Sequence, residues 1–325
     1  MLSWRYFLTK VGIQVASMSL RHLIATITSA RDQKVMQYRV QSGRERFDMM
    51  RFWLKRNPDA EMVSRSQIEG CWVTEYAPKT GYEHDDIVIF FHGGGFVVGG
   101  DATHGPFASD LAHALSCRVF LIEYPLAPES QLAATIQTCF TITKTIQTQS
   151  NCTHYVMMGS SAGGSIASHV IAKMVNDKEI APKALYLIGP VIQHCFDFDE
   201  QRYRDLCASD ELLGPSYQFL LDNPQNKERA IAILGGEQAC GLLHLQDEVL
   251  RLFPPTHITY QREEVLAAEI QAFIQRLRHN QVHAVDNIVD NAFHSFNMIN
   301  YLPQTKAYIS TVREHMLPLR SKKPL

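Results

Sequence analysis

Short apolar runs, bounded by turn residues, alternate along this chain with stretches whose apolar positions recur at helical spacing. Ile87-Val-Ile-Phe-Phe91, Val119-Phe-Leu-Ile122 and the run from Val156 to Met158 are unbroken, the pattern of strands buried on both faces. Thr256–Tyr260 and Ala284–Val289 read as two later strands. Met62–Ile68 and Cys71–Tyr76, divided by Glu69-Gly70, predict an antiparallel hairpin that opens the sheet. Helical spacing shows at Leu266, Ile270, Phe273, Ile274 and Leu277. It shows again over Thr103–Leu115, where Leu111 and Leu115 share a face and Asp101 or Thr103 is the expected cap. Strands alternating with helices predict one α/β domain built on a mostly parallel sheet flanked by helices.

Composition narrows this picture only a little. With 325 residues, 46 % hydrophobic and 20 % charged, the chain can bury a large core. A net charge of −2 gives no reason to expect a nucleic-acid partner. Seven cysteines, at 71, 117, 139, 152, 195, 207 and 240, form no C-x-x-C pair and are odd in number, which suits buried thiols in a reducing, cytoplasmic compartment rather than disulfides or zinc ligands. His279 and His283 stand four apart, but at a helix end before a strand, so no metal site is expected. Residues 1 to 31 hold Arg5, Lys10, Arg21 and Arg31 and no acid. Their longest uncharged stretch, Val11 to Leu20, is diluted by Gly, Gln and Ser, so neither a membrane-spanning helix nor a secretory signal fits. A basic amphipathic helix that touches an anionic membrane surface or acts as a targeting segment does fit.

The candidate chemistry lies in the loops that follow the strands. Gly159-Ser160-Ser161-Ala162-Gly163 is a G-x-S-x-G sequence between an apolar run and a stretch of small residues that opens a helix. That context makes it a nucleophile elbow, with the Ser161 hydroxyl pointing outward. His92-Gly93-Gly94-Gly95 follows another buried strand, and its uncovered backbone amides suit an oxyanion. Gly93, Gly94 and Ala162 are the expected donors. A phosphate cradle is disfavoured, since neither a Lys-Ser/Thr pair nor a G-x-G-x-x-G with a helix start follows. Downstream, Glu263 and Glu264 precede the helix that starts near Leu266, where they either complete a catalytic set or complement the helix dipole. His294 lies just past the last strand and is the candidate base among fourteen histidines.

Taken together, the His92-Gly-Gly-Gly loop, the segment Val119–Glu129 ending in Tyr124-Pro-Leu-Ala-Pro-Glu129, and the elbow at Ser161 resemble the hormone-sensitive-lipase family of α/β-hydrolases from about residue 60 onward. The resemblance implies esterase chemistry by a triad of Ser161, Glu264 and His294, with Glu264 where the family carries its acid. It implies a role for His92 in orienting the oxyanion loop rather than in proton transfer, and no metal or organic cofactor. It also implies a helical cap, which gives N-terminal cap helices over 1–55, a core over 56–195, a cap insertion over 196–252 and the rest of the core over 253–325. Within the insertion, Asp197–Arg204, Leu212–Leu221 and Leu242–Leu250 read as short helices. Two positions depart from the family pattern: Pro125 replaces the usual Arg, and Ser160 the usual Asp before the nucleophile.

The expected activity is hydrolysis of short to medium acyl esters, with a small-molecule ester as substrate. Lactone or membrane-surface lipid hydrolysis is the alternative. A catalytically silent small-molecule receptor on the same fold is a further one, disfavoured because such receptors lack the histidine that His294 supplies here. Self-association as a homodimer is left open.

Overall fold

The structure, a computed structural model, describes residues 2–29, 33–82, 85–152, 154–193, 200–236 and 241–316. Two helices lead, α1 (Leu2–Ser29) and α2 (Gln33–Asp48). The hairpin β1 (Ala60–Ile68) and β2 (Cys71–Pro78) follows, then β3 (Ile87–Phe91), α3 (Asp101–Leu115), β4 (Arg118–Glu123), α4 (Leu132–Gln149), β5 (Tyr155–Ser160), α5 (Ala162–Asn176) and β6 (Leu185–Ile188). Three helices come next, α6 (Glu200–Cys207), α7 (Gly214–Asp222) and α8 (Pro224–Leu234), and then the single turn α9 (Asp247–Leu250). The chain closes with β7 (Thr256–Gln261), α10 (Ala267–His279), β8 (Ala284–Val289) and α11 (Pro303–Met316).

The eight strands form one sheet in the order β1-β2-β4-β3-β5-β6-β7-β8. β1–β2 and β2–β4 pair antiparallel and all other neighbours parallel, which bears out the expected mostly parallel sheet flanked by helices. Because successive side chains point to opposite faces, each central strand feeds two cores. Ile87, Ile89 and Phe91 join one cluster with α5 and α10, while Val88 and Phe90 join another with Phe107 and Leu111 of α3 and Val312 of α11. β3 lies between β4 on one side and β5 on the other, so the chain order reverses there. The crevice beyond the carboxyl ends of strands at such a point is where ligands collect in α/β sheets. The register Phe91↔Gly159 brings the glycine loop after β3 and the elbow after β5 to that crevice.

Some expected boundaries move. The α3 helix starts at Asp101 with Gly100 as N-cap and no side-chain cap, because the Asp101 carboxylate is taken by the Tyr76 hydroxyl and the Arg56 guanidinium. In the insertion, residues 197–199 lie outside the described residues, and the helix read there runs over α6. The helix expected at Leu212 begins at Gly214, followed by Pro215, and α8 opens on Pro224, both prolines sitting where a helix lacks an N–H acceptor anyway. The stretch 242–250 is divided: Arg276 donates to the carbonyls of Leu243 and Leu245 and to Asp247 Oδ1, pulling the segment between its two short turns into extended form.

No helix among the described residues is long and apolar enough to cross a membrane. Cys71, Cys117, Cys139, Cys152 and Cys207 are buried free thiols, and Cys195 and Cys240 lie outside the described residues.

Candidate active site

Ser161 closes β5 and caps α5 at φ 51°, ψ −120°, a strained left-handed conformation for a residue with a side chain. The strain is held by the backbone around it: Ser161 N–H donates to Ile188 O at 2.8 Å, and Ser161 O accepts from Gly164 at 2.9 Å and Val191 at 3.1 Å. The turn is tight enough that a Cβ on Gly163 would stand 2.1 Å from Phe91 O, so no other residue fits there.

His294, after β8, brings Nε2 to 2.8 Å from Ser161 Oγ. Its Nδ1 stands 3.4 Å from Glu264 Oε2, an ion-pair separation longer than a good hydrogen bond, and both side chains are buried. With the ring proton on Nδ1, facing the carboxylate, Nε2 is left to accept the Ser161 hydroxyl. Gly189, at φ +48°, leaves room for this pair, since a Cβ there would lie 3.0 Å from the His294 ring and 3.1 Å from Glu264 Oε1. Burial disfavours the charged imidazole, but the Glu264 carboxylate, with Asp210 adding to it, outweighs burial and holds His294 above the ordinary imidazole value. Burial likewise raises Glu264, with His294 acting against it.

The alternatives for the acid separate in space. Glu263 is exposed, and its carbonyl accepts the Ser209 hydroxyl. Glu269 is buried but faces elsewhere, accepting the Gln193 N–H at 3.1 Å. Asp210 is a site residue that no sequence signal points to. Its buried carboxylate receives the amides of Leu212 and Leu213 on one oxygen and that of Val265, next to Glu264, on the other. It thereby ties the inserted helices to the loop bearing the acid.

In the glycine loop one expectation is corrected. The Gly93 N–H does not face the crevice, because it donates to His104 Nε2 at 3.2 Å. Gly94 and Ala162, the other expected donors, show no acceptor for their amides among the described residues, and the same holds for Gly95, which lines the cavity beside Ser161. His92 holds Gly93 O through Nδ1 at 2.8 Å and stacks on Tyr124 at 4.2 Å. The two departures in sequence have partners: Pro125 O accepts the Thr135 hydroxyl at 3.0 Å. Ser160 Oγ reaches Asn297 Oδ1 at 3.0 Å, linking the elbow to the His294 loop. Near Pro125, the guanidinium of Arg44 on α2 donates to Val97 O and Ala127 O, both at 2.8 Å, and pairs with both oxygens of Glu129.

Ser161 opens onto a cavity of about 850 Å³, its mouth included. Leu20, Ile24 and Ile27 of α1, Leu220 of α7, and Ile231 and Leu234 of α8 make its walls apolar. These helices therefore roof the serine, and Arg229 of α8 fastens to α1 by donating to Thr28 O at 2.9 Å. An activated hydroxyl, a paired imidazole, free amides and an apolar recess are the elements of acyl transfer.

A family model described as alpha/beta hydrolase fold matches residues 88–298. An alpha/beta hydrolase of Acanthamoeba polyphaga mimivirus is 26 % identical over 247 residues, 72 % of this chain and 68 % of that protein. An esterase of Acinetobacter venetianus is 21 % identical over 234 residues, 70 % of this chain and 73 % of its own. Among solved structures, an esterase from the bacterial hormone-sensitive lipase family superposes with a TM-score of 0.74 at 20 % identity, covering 93 % of this chain and 98 % of that one. A hormone-sensitive lipase from a metagenome library gives a TM-score of 0.73 at 18 % identity, over 92 % and 96 %. The fold implied by the glycine loop and elbow is thus matched by structures of the family they resemble.

Proposed function

The chain belongs to the α/β-hydrolase fold family as a carboxylesterase-type hydrolase, and we propose that it cleaves short to medium acyl esters through an acyl-enzyme on Ser161. The observation that carries this reading is the 2.8 Å contact between Ser161 Oγ and His294 Nε2, with Ser161 lining an apolar cavity. In the proposed sequence neutral His294 takes the Ser161 proton as Oγ attacks the ester carbonyl. The oxyanion collects the amides of Gly94, Gly95 and Ala162, donors that cost no reorganisation during the reaction. His294 then gives its proton to the departing alcohol, and water repeats the cycle to release the acid. Glu264 keeps the imidazole in the required tautomer and stabilises its charged form.

The apolar walls contributed by α1, α7 and α8 support an acyl chain as the group they receive, and support residues 1–55 and 196–252 as the two pieces of one cap. Kinetics on aryl esters from acetyl to palmitoyl test this. Activity should peak at short to medium chains and fall at palmitoyl, as the proposed acyl preference requires. Activity on none of the esters, or activity lost on adding a chelator, would remove the reading.

A second reading, hydrolysis at a lipid surface, has one observation in its favour. Tyr38, Met49, Phe52 and Trp53 are exposed on α2 and the turn after it, among Arg39, Arg46 and Arg51, a combination suited to an anionic interface. Faster turnover of a long-chain ester in anionic vesicles than in solution would establish it.

The pH profile follows from the environment of His294. Only its neutral form accepts the serine proton, so activity is lost as pH falls through its pKa. Since Glu264 holds that value above the ordinary imidazole range, the acid limb of kcat/KM should have its midpoint above about 6.5. A profile flat from pH 5 to 8 would exclude a histidine base.

A further inference from the structure

We propose that His104 is the positioning residue of the oxyanion site, a neutral imidazole whose Nε2 anchors the Gly93 peptide and thereby aims the amides that follow. The proposal rests on the reading of Ser161 as the nucleophile. His104 lies in the first turn of α3, fully buried, and does not touch the cavity. Its two nitrogens have fixed and different roles. Nε2 lies 3.2 Å from Gly93 N and must accept, since a backbone amide can only donate. The proton is therefore on Nδ1, 2.8 Å from Thr103 Oγ1. The threonine hydroxyl has its own acceptor in Gly100 O at 3.1 Å. One directional chain results: Gly93 N–H to His104, His104 Nδ1–H to Thr103, Thr103 O–H to Gly100 O. Each donor has one acceptor, and no other tautomer completes it.

Planarity of the peptide group turns this anchor into an aiming device. The Gly93 N–H on His104, with the Tyr124 hydroxyl donating to His92 O at 2.7 Å on the opposite edge, fixes the plane of the 92–93 peptide. Gly93 O, held by His92 Nδ1 at 2.8 Å, fixes the plane of the 93–94 peptide. In a trans peptide the N–H points opposite to the C=O, so holding Gly93 O on one side directs the Gly94 N–H to the other. Two histidines thus clamp consecutive peptide planes, His92 from within the loop and His104 from α3. Glycine has no side chain to restrict these planes by itself, so the direction of the amides depends on the hydrogen bonds that hold the loop, among them those to the two histidines and those of Val97 and Val98 to Gly94 O. Burial, together with the neighbouring His92 ring, keeps His104 uncharged, as an acceptor role requires.

The test compares two variants that differ in acceptor rather than in size. In His104→Leu the Gly93 N–H loses its partner. In His104→Gln, Oε1 takes the place of Nε2 and accepts it. For His104→Leu, kcat should fall on the order of 10- to 100-fold with KM within about twofold, as expected when transition-state donors are misaimed. Inhibition by an aryl trifluoromethyl ketone, which adds Ser161 and presents an oxyanion, should weaken by the same factor. His104→Gln should regain most of both. Equal losses in the two variants, a loss confined to KM, or unchanged ketone inhibition in the leucine variant would overturn the clamp. Nitrogen-15 NMR of histidine-labelled protein gives an answer independent of turnover: His104 must show Nδ1 protonated and Nε2 bare, and the opposite tautomer overturns the proposal in an active enzyme. A wild type that hydrolyses no ester and ignores the ketone defeats the functional reading instead, while the tautomer still reports on the hydrogen-bond chain.

Discussion

Ester hydrolysis by Ser161→Ala is expected to fall by more than about 10⁴-fold, leaving only what bound amides do for attack by water, while the melting temperature stays within a few degrees of wild type. The loss is large because Oγ is the atom that becomes acylated, and nothing nearby replaces it. Ser160 is the adjacent hydroxyl, but it is fully buried and directed at Asn297 and Ser295, away from the cavity. Stability should hold because the elbow is kept by main-chain bonds to Ile188 and Val191, which alanine preserves, and alanine at φ 51° is strained as serine is. Ser160→Ala should cost turnover less than about tenfold, the loss of one hydrogen bond to the His294 loop. Labelling with a fluorophosphonate probe discriminates sharply. The adduct belongs on Ser161, and an adduct on Ser160, or residual turnover of a few per cent in Ser161→Ala, sinks the nucleophile assignment.

The sequence carries the frame of this site through two local signals that the fold cannot easily change. Unbroken apolar runs such as Ile87–Phe91 are strands wherever both faces are covered, and glycines at crowded turns, as at Gly163, are required by contacts within one or two elements. Less local features are not legible in this way. The expectation that Gly93 donates to the oxyanion follows from its bare backbone, but whether an amide is free depends on what else is near it, and His104 reaches it only through the packing of α3 under the loop. Asp210 is similar, an acid in a loop whose amide partners at Val265 lie 55 residues on. The α4 helix carries no early expectation because threonines at 135, 138, 141, 143, 145 and 148 weaken its propensity, and tertiary contacts at Cys139, Phe140 and Ile146 hold it instead. At four residues, β6 is too short for periodicity to identify. The acid is the intermediate case. Sequence leaves Glu263 and Glu264 side by side at a helix start, and only the turn before α10 sends one side chain to solvent and the other to His294.

That separation gives the second large expected effect: Glu264→Gln should lower kcat on the order of 10³- to 10⁴-fold with little change in KM, and Glu263→Gln less than about tenfold. Glutamine is nearly isosteric with glutamate, so the fold is spared and the change is one of charge, although an N–H₂ turned toward His294 gives up the Gln261 N–H contact that Oε2 also receives. Two functions go with the charge. An amide can present its N–H₂ to Nδ1 and favour the tautomer with the proton on Nε2, which cannot accept from Ser161. It also cannot offset the positive imidazolium that forms as the serine proton moves, in a buried site where solvent screens little of that charge. The pH profile supplies a readout that a merely structural role would not move. In the wild type, burial and the Glu264 carboxylate act on His294 in opposite directions, and the carboxylate prevails. With the carboxylate gone, burial acts almost alone and disfavours the charged ring, so the acid limb of the residual activity should shift to lower pH. A helix-dipole role would make the two glutamates equivalent, with modest losses in melting temperature and no displacement of the pH limb. Equal, small effects on kcat would therefore remove Glu264 from the triad, and the geometry leaves Asp210, the other buried carboxylate coupled to His294, as the group to examine next.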